Sequence, residues 1–192
     1  MYMAVVTHSN SRHWTAADLQ AIPDDRNRYE IIEGELLVTP SPSRDHQRLS
    51  KLFFRPLDSY VETHTIGEII YAPADIVFAD DTVVEPDLLA FALPPVKLPD
   101  RSDGAAGVLL VVEILSPSTA RADRTIKRAR YQHEGIPEYW IVDGDAHVVE
   151  RWRPGDERPE IISEQLTWHP DAALPALEID LPALFASASR SA

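Results

Sequence analysis

An unbroken apolar segment in the middle of the chain, Val108 to Leu115, constrains the fold more than any other feature. It reads Val-Leu-Leu-Val-Val-Glu-Ile-Leu and is apolar at every position except Glu113. A short continuous apolar run rich in β-branched residues predicts a strand that is covered on both faces. A carboxylate is rarely buried without a cationic partner, so Glu113 either lies at an exposed strand end, pairs with a buried arginine, or belongs to a site.

The remaining patterns predict a mixed α/β fold, in which a mixed β-sheet is flanked by α-helices. Neither a regular βαβ alternation nor a glycine-rich phosphate loop is present. An N-terminal hairpin turns at Glu33-Gly34, and additional strands follow near the C-terminus. The first predicted helix spans about Thr15–Ile22. Pro40–Ser43 leads into a second helix, which runs to about Thr63 with a kink or break at Pro56, and a third spans about Ala120–His133. The predicted strands span Tyr29–Val38 (the hairpin), Glu68–Ala72, Ala74–Ala79, Val84–Phe91, Tyr139–Asp143 and His147–Arg153.

The length of 192 residues favours one domain over residues 1–192, with a core from about 15 to 186 and frayed termini. Pro94–Ala106, rich in proline and polar residues, is predicted to be a mobile surface loop. The absence of cysteine excludes a disulfide scaffold and thiolate metal sites, and we expect a cytoplasmic protein without a membrane-spanning segment. A net charge of −13 argues against a protein that coats nucleic acid by bulk charge.

A second carboxylate, Asp87, lies in the strand-like run that begins at Val84. Pro-Asp is a common turn pair, so Glu85-Pro-Asp87 alone is weak evidence. Two carboxylates on neighbouring strands, however, repel each other unless a cation lies between them. Mg²⁺ or Mn²⁺ suits such a sparse site, because water and substrate phosphate complete its ligands.

The predicted helix after Glu113 carries five basic residues and one acidic residue between Arg121 and Tyr131. Asp123, Lys127 and Tyr131 are spaced by four and therefore share one face. This pattern is also typical of a solvated helix face with an Asp–Lys pair. Because the helix follows the strand of Glu113 directly, Lys127 is expected near the same end of the sheet.

Several motifs in order resemble the Uma-type restriction endonuclease family, a bacterial branch of the PD-(D/E)XK nuclease superfamily. The resemblance covers about residues 15 to 186 and is most specific at Val111–Thr119. The other matching positions are Tyr29–Glu35, Pro40–Ser43 with His46, Ala74–Asp75, Glu85–Asp87, Asp123, Lys127, Tyr131 and Gly135–Asp143.

The resemblance implies a restriction-endonuclease-like core that hydrolyses phosphodiester bonds in DNA with Mg²⁺ or Mn²⁺. The resemblance implies that Asp87 and Glu113 are the metal-binding acids. The superfamily's usual lysine position holds Leu115, which makes Lys127 the candidate to stabilise the transition state. The secondary candidates are Glu35 and Asp75 (a second metal or the outer ring of the site), His46 (orienting a ligand or phosphate) and Tyr131 (packing beside Lys127).

The same residues leave alternatives open. Leu115 and the acidity favour a catalytically weak or inactive module that binds nucleic acid or protein. A glycosidase with Asp87 and Glu113 as paired acids is less favoured, because the nearby basic residues suit phosphate better than a neutral sugar. DNA binding is expected to be weak and metal-dependent. A homodimer is also left open, with the apolar strands from Tyr139 to Trp152 as a candidate surface.

Overall fold

A computed structural model describes residues 5–6, 12–23, 25–92 and 105–189 of the chain. Within them, a six-stranded mixed sheet forms the centre, in the order β11-β10-β9-β8-β7-β4. Its strands are β4 (Gly67–Tyr71), β7 (Leu88–Ala92), β8 (Val108–Ile114), β9 (Tyr139–Asp143), β10 (Val148–Trp152) and β11 (Glu160–Ile162). Only the β8–β9 pair is parallel in this sheet.

A second, five-stranded antiparallel sheet contains the N-terminal hairpin. Its order is β1-β3-β2-β6-β5, and the hairpin turns at Glu33-Gly34 as the sequence predicts. Its strands are β1 (Val5–Val6), β2 (Asn27–Ile32), β3 (Glu35–Pro40), β5 (Ile76–Ala79) and β6 (Thr82–Val84). A separate pair, β12 (Gln165–Trp168) and β13 (Leu177–Asp180), supplies the additional C-terminal strands.

Helices pack against both sheets. They are α1 (Ala16–Leu19), α2 (Arg44–His64), α3 (Ala120–Ala122), α4 (Arg128–His133) and α5 (Leu181–Ser189), and a π-helical segment, Asp123–Lys127, joins α3 to α4. None of these helices has both the length and the apolar character that crossing a bilayer demands, within the described part of the chain.

Two apolar clusters lie on opposite faces of β8, which explains why its sequence is almost continuously apolar. Val112 and Ile114 pack with α2, α5 and β12 on one face. On the other face Val111 packs with Tyr131 of α4, and with residues of the five-stranded sheet. The mixed α/β fold with helices flanking a sheet is therefore confirmed.

The structure differs from the sequence prediction at two prolines. The run Val84–Phe91 is not one strand, because Pro86 cannot donate a ladder hydrogen bond and the chain passes there from β6 of one sheet to β7 of the other. Helix α2 continues through Pro56 without a break. Helix α5 ends at Ser189. Residues 190–192 and most of the predicted loop Pro94–Ala106 lie outside the described residues.

The strands proposed as a dimer surface are buried instead. Tyr139, Trp140 and Val149 are each at most 1% exposed, because β9 and β10 lie inside the six-stranded sheet between β8 and β11. Their apolar side chains are used by the chain's own core. These strands are therefore not available as a dimer surface, and the homodimer itself stays a prediction.

Candidate active site

Asp87 and Glu113 lie opposite each other on neighbouring antiparallel strands. Leu88 pairs with Val112 in the β7–β8 ladder, and continuing this register by one residue brings Asp87 to Glu113. The backbone N–H of Ile114 donates a hydrogen bond to Asp87 Oδ2 at 2.8 Å. Asp87 is 3% exposed and Glu113 is 2% exposed, so neither lies at a solvated strand end.

Lys127 reaches both sheets from the helix layer. Its Nζ donates to Glu113 Oε1 at 2.9 Å and lies 2.9 Å from Oε2 of Glu30 on β2. Asp123 Oδ1 lies 3.6 Å away. The ammonium is fully buried, and the π-helical segment that holds Asp123 and Lys127 is a local irregularity often associated with functional sites.

Two basic side chains hold Asp87. Arg28 Nη2 donates to Asp87 Oδ1 at 3.0 Å, and His46 Nε2 lies 3.0 Å from Oδ2. His46 lies in the first turn of α2, where the Ser43 side chain caps the helix by accepting from the His46 N–H. Burial alone would raise the pKa of Asp87, but the hydrogen bond and charge of His46, the charge of Arg28 and the Ile114 N–H lower it to about 2.

Arg28 and Glu30 are site residues that sequence reasoning missed. Glu30 is 1% exposed; its Oε2 contacts Lys127, and its Oε1 accepts from the Glu85 N–H at 2.9 Å. Arg28 also forms an ion pair with Glu85 at 3.0 Å. The missed signal is alternation: Arg28 and Glu30 lie on the same face of β2 as Ile32, which is part of the core.

The buried charges shift one another's proton affinities. Burial raises the pKa of Glu113 well above its usual range, and repulsion by Asp123 and Asp87 adds to this effect against the attraction of Lys127. Burial also raises the pKa of Asp123 to about 6. Burial would lower the pKa of Lys127, but the carboxylates of Glu113, Glu30 and Asp123 raise it well above its usual value, so Lys127 is a permanent cation.

The cluster has the donors and charge that fit a hard divalent cation. Four buried carboxylates, those of Glu30, Asp87, Glu113 and Asp123, face the charges of Lys127 and Arg28. The ammonium of Lys127 and the hydroxyl of Tyr131 both donate to Glu113 Oε1. Among the described residues, no group of three or more histidine, aspartate or glutamate side chains is arranged to hold a metal ion. In general, Mg²⁺ bound by one or two carboxylates keeps waters as its remaining ligands.

Of the secondary candidates, His46 and Tyr131 contact the carboxylate cluster, whereas Asp75 and Glu35 are exposed. Tyr131 lies in the cluster and donates from its hydroxyl to Glu113 Oε1 at 3.2 Å. Asp75 is exposed just before β5, where its charge adds to burial in raising the pKa of Glu85. Glu35 is exposed at the start of β3 opposite Ile32, and it forms no hydrogen bond or ion pair with any described residue of the cluster.

The basic helix does not form an open cationic surface. Arg124 is paired with Asp143 at 2.8 Å and Glu150 at 2.6 Å, and Arg130 is paired with Glu134 at 2.6 Å. These acids come from β9, β10 and the end of α4. The charges of these two arginines are therefore balanced by acidic side chains of the protein itself.

The mixed sheet flanked by helices is a restriction-endonuclease-like core. The model of the family described as "Uma2: Putative restriction endonuclease" matches residues 16–182. The chain belongs to this family, as the motifs in its sequence predict.

A solved structure supports the same fold. It is a crystal structure from Anabaena variabilis described as "a putative nuclease belonging to DUF820", which is 22% identical to this chain with a TM-score of 0.70. The match covers 91% of this chain and 99% of that one. No protein of curated function matches the chain.

Proposed function

We propose that this protein is a metal-dependent endonuclease that hydrolyses phosphodiester bonds in DNA, with Asp87 and Glu113 holding Mg²⁺ or Mn²⁺. The observation that carries the proposal is the buried cluster in which these carboxylates face each other while Lys127 lies 2.9 Å from Glu113. Membership in the nuclease family supports it. When bound, the metal would lower the pKa of a water and polarise a phosphoryl oxygen.

Lys127 is the residue that fits the transition state. In phosphodiester hydrolysis a water oxygen attacks phosphorus, the bond to the leaving oxygen breaks, and negative charge grows on the phosphoryl oxygens. A buried, permanently charged ammonium stabilises that charge more strongly than a solvated one. Glu30 and Tyr131 act through the others, since Glu30 holds Lys127 and Tyr131 holds Glu113.

Arg28 and His46 keep Asp87 ready as an anionic ligand. Their charges and hydrogen bonds account for its low pKa, so Asp87 is ionised throughout the physiological pH range. No proton has to leave Asp87 when a cation binds. Leu115 stands at the position of the usual lysine. In this proposal Lys127, which reaches Glu113 from the helix layer, supplies the positive charge instead.

The test compares cleavage of supercoiled plasmid and single-stranded DNA in Mg²⁺, Mn²⁺ or EDTA. We expect cleavage only with the metal, and its loss in Asp87→Asn and Lys127→Met. Asp145→Asn is the matched control, because Asp145 is exposed in the turn after β9. Circular dichroism verifies folding of each variant, and calorimetric titration with Mn²⁺ measures metal binding independently of activity.

Two results would contradict the proposal. DNA binding without cleavage in every metal would support the inactive module instead. Mn²⁺ binding that is equal in the wild type and in a folded Asp87→Asn variant would place the metal elsewhere.

A further inference from the structure

A cavity of about 540 Å³ opens beside Asp87 and therefore adjoins the buried carboxylate cluster at that residue. Asp87, Glu85 and His46 line its inner end. Gln47, Lys51 and Phe54 of α2 line one wall, and Tyr71 at the end of β4 lines another. Its volume lies within the range that encloses a small organic group such as a nucleobase with its sugar.

Tyr71 is conspicuous because it is 63% exposed, although it ends a strand of the central sheet. Only Tyr71 and Ile161 are large hydrophobic side chains with such exposure in the described ranges. Phe54 contacts the Tyr71 ring edge-on, with ring centroids 5.4 Å apart and an interplanar angle of 89°. This contact fixes the ring while most of its surface stays accessible.

The backbone fixes the position of Tyr71 relative to Asp87. Tyr71 pairs with Leu88, the residue after Asp87, and the N–H of Ala72 donates to the Asp87 carbonyl at 3.1 Å. Lys51 lies on the face of α2 that lines the cavity, and it forms no ion pair or hydrogen bond with the residues that the structure describes. An aromatic platform and an available ammonium therefore flank the entrance to the carboxylate cluster.

We propose that this cavity receives an unpaired base of the substrate strand, stacked on Tyr71, with Lys51 contacting a neighbouring phosphate. The inference rests on the proposed nuclease function and names its substrate class: single-stranded or locally unpaired DNA. A base inside a duplex has both faces covered by its neighbours, so a protein ring stacks only on a base outside the stack. Stacking on aromatic side chains with basic groups along the backbone is a general mode of single-strand binding.

The first experiment measures binding without cleavage. Short DNA strands carrying 2-aminopurine at successive positions, single-stranded or annealed to a complement, are titrated with protein in EDTA. Stacking on Tyr71 should quench the fluorescence of the single strand at one position. We expect Tyr71→Ala to abolish this quenching and weaken single-strand binding about tenfold or more, while Tyr71→Phe retains both.

Two further variants separate stacking from general effects. Lys51→Gln should weaken binding to all strands and reduce the dependence of log affinity on log salt concentration by about one unit. Ile161→Ala is the matched control, since it removes the other exposed large hydrophobic side chain and should change neither quenching nor affinity.

The second experiment measures cleavage of the same substrates with Mg²⁺ or Mn²⁺. A preference for the single strand that Tyr71→Ala removes would support the inference. Cleavage of both substrates with no effect of Tyr71→Ala on quenching or preference would overturn it while leaving the nuclease function intact. Quenching without cleavage of any substrate would overturn the nuclease function but retain the single-strand pocket.

Discussion

The buried carboxyl of Asp123 leads to the sharpest quantitative prediction. It is 1% exposed, and burial raises its pKa to about 6. A raised carboxyl pKa means that the folded protein holds the proton more tightly than the unfolded chain. The contribution to stability is therefore fully present below pH 4 and is lost as the pH rises through 6.

The magnitude follows from the displacement of the pKa. A change from 3.8 to about 6 corresponds to a loss of about 3 kcal/mol in the free energy of unfolding. Roughly half of that loss falls between pH 5 and pH 8, since the unfolded carboxyl is already mostly ionised at pH 5. Solvent screening is small for a group this deeply buried.

The perturbation is Asp123→Asn, which keeps the shape of the side chain but removes its ionisation. The variant is expected to lose stability overall, because Lys127 loses one of its three carboxylate neighbours. Relative to the wild type, however, it should gain 1–2 kcal/mol, to within about a factor of two, as the pH rises from 5 to 8. Groups outside the cluster titrate alike in both proteins and cancel in this difference, whereas Glu113 also responds to the loss of the Asp123 charge.

The assay is urea unfolding followed by tryptophan fluorescence, in EDTA so that no divalent cation binds the cluster. Trp140 and Trp168 are fully buried and report loss of the core. Asp145→Asn, which removes an exposed carboxylate, is the control. Its free energy of unfolding should differ from that of the wild type by the same amount at each pH. A difference for Asp123→Asn that is equally flat would refute the reasoning that Asp123 becomes charged within this range.

Three further outcomes are expected. Lys127→Met should lower the free energy of unfolding in EDTA by about 3–5 kcal/mol, because it leaves buried carboxylates without their cation. Mn²⁺ should restore part of this loss, measured by thermal unfolding. An unchanged free energy of unfolding would mean that the ion pair of Lys127 and Glu113 is solvated. Tyr131→Phe should lower the free energy of unfolding, measured by the same urea titration, by about 1–3 kcal/mol, because one hydrogen bond to Glu113 is lost. An unchanged free energy of unfolding would show that this contact is weak. The depressed pKa of Asp87 contributes stability that is present above pH 4 and is lost as the pH falls towards 2. The free energy of unfolding of Asp87→Asn should therefore fall less steeply between pH 4 and pH 2 than that of the wild type. An equally steep fall in both proteins would contradict the Arg28 and His46 contacts.

The fold was predictable where one local pattern decided each element. The run of apolar residues around Glu113 predicted β8, and helical spacing from Ala120 to His133 predicted the helix that follows it. The π-helical segment within that helix was not predictable, because its residues are spaced like those of an ordinary α-helix. The split at Pro86 was missed because apolar residues on both sides of it favour one continuous strand.

The candidate site was predictable only where an unusual residue interrupts an expected pattern. Glu113 inside an apolar strand is such a case. Glu30 is not, because the hairpin contains three glutamates and the sequence pattern alone drew attention to Glu35. Only the pairing of β2 with β3 and β6, which joins distant segments, shows that Glu30 faces the cluster.

The contact between Lys127 and Glu30 has a consequence for how the protein folds. These two residues are about 100 positions apart along the chain and belong to the helix layer and the five-stranded sheet. Contacts at such separation form only after the entropy of closing a long loop has been overcome, so they tend to form late. A partly folded chain in which the two sheets have not yet docked therefore contains its separate carboxylates but not the cluster. Under the proposed function, the emerging polypeptide would gain cleavage activity only when its tertiary structure is complete.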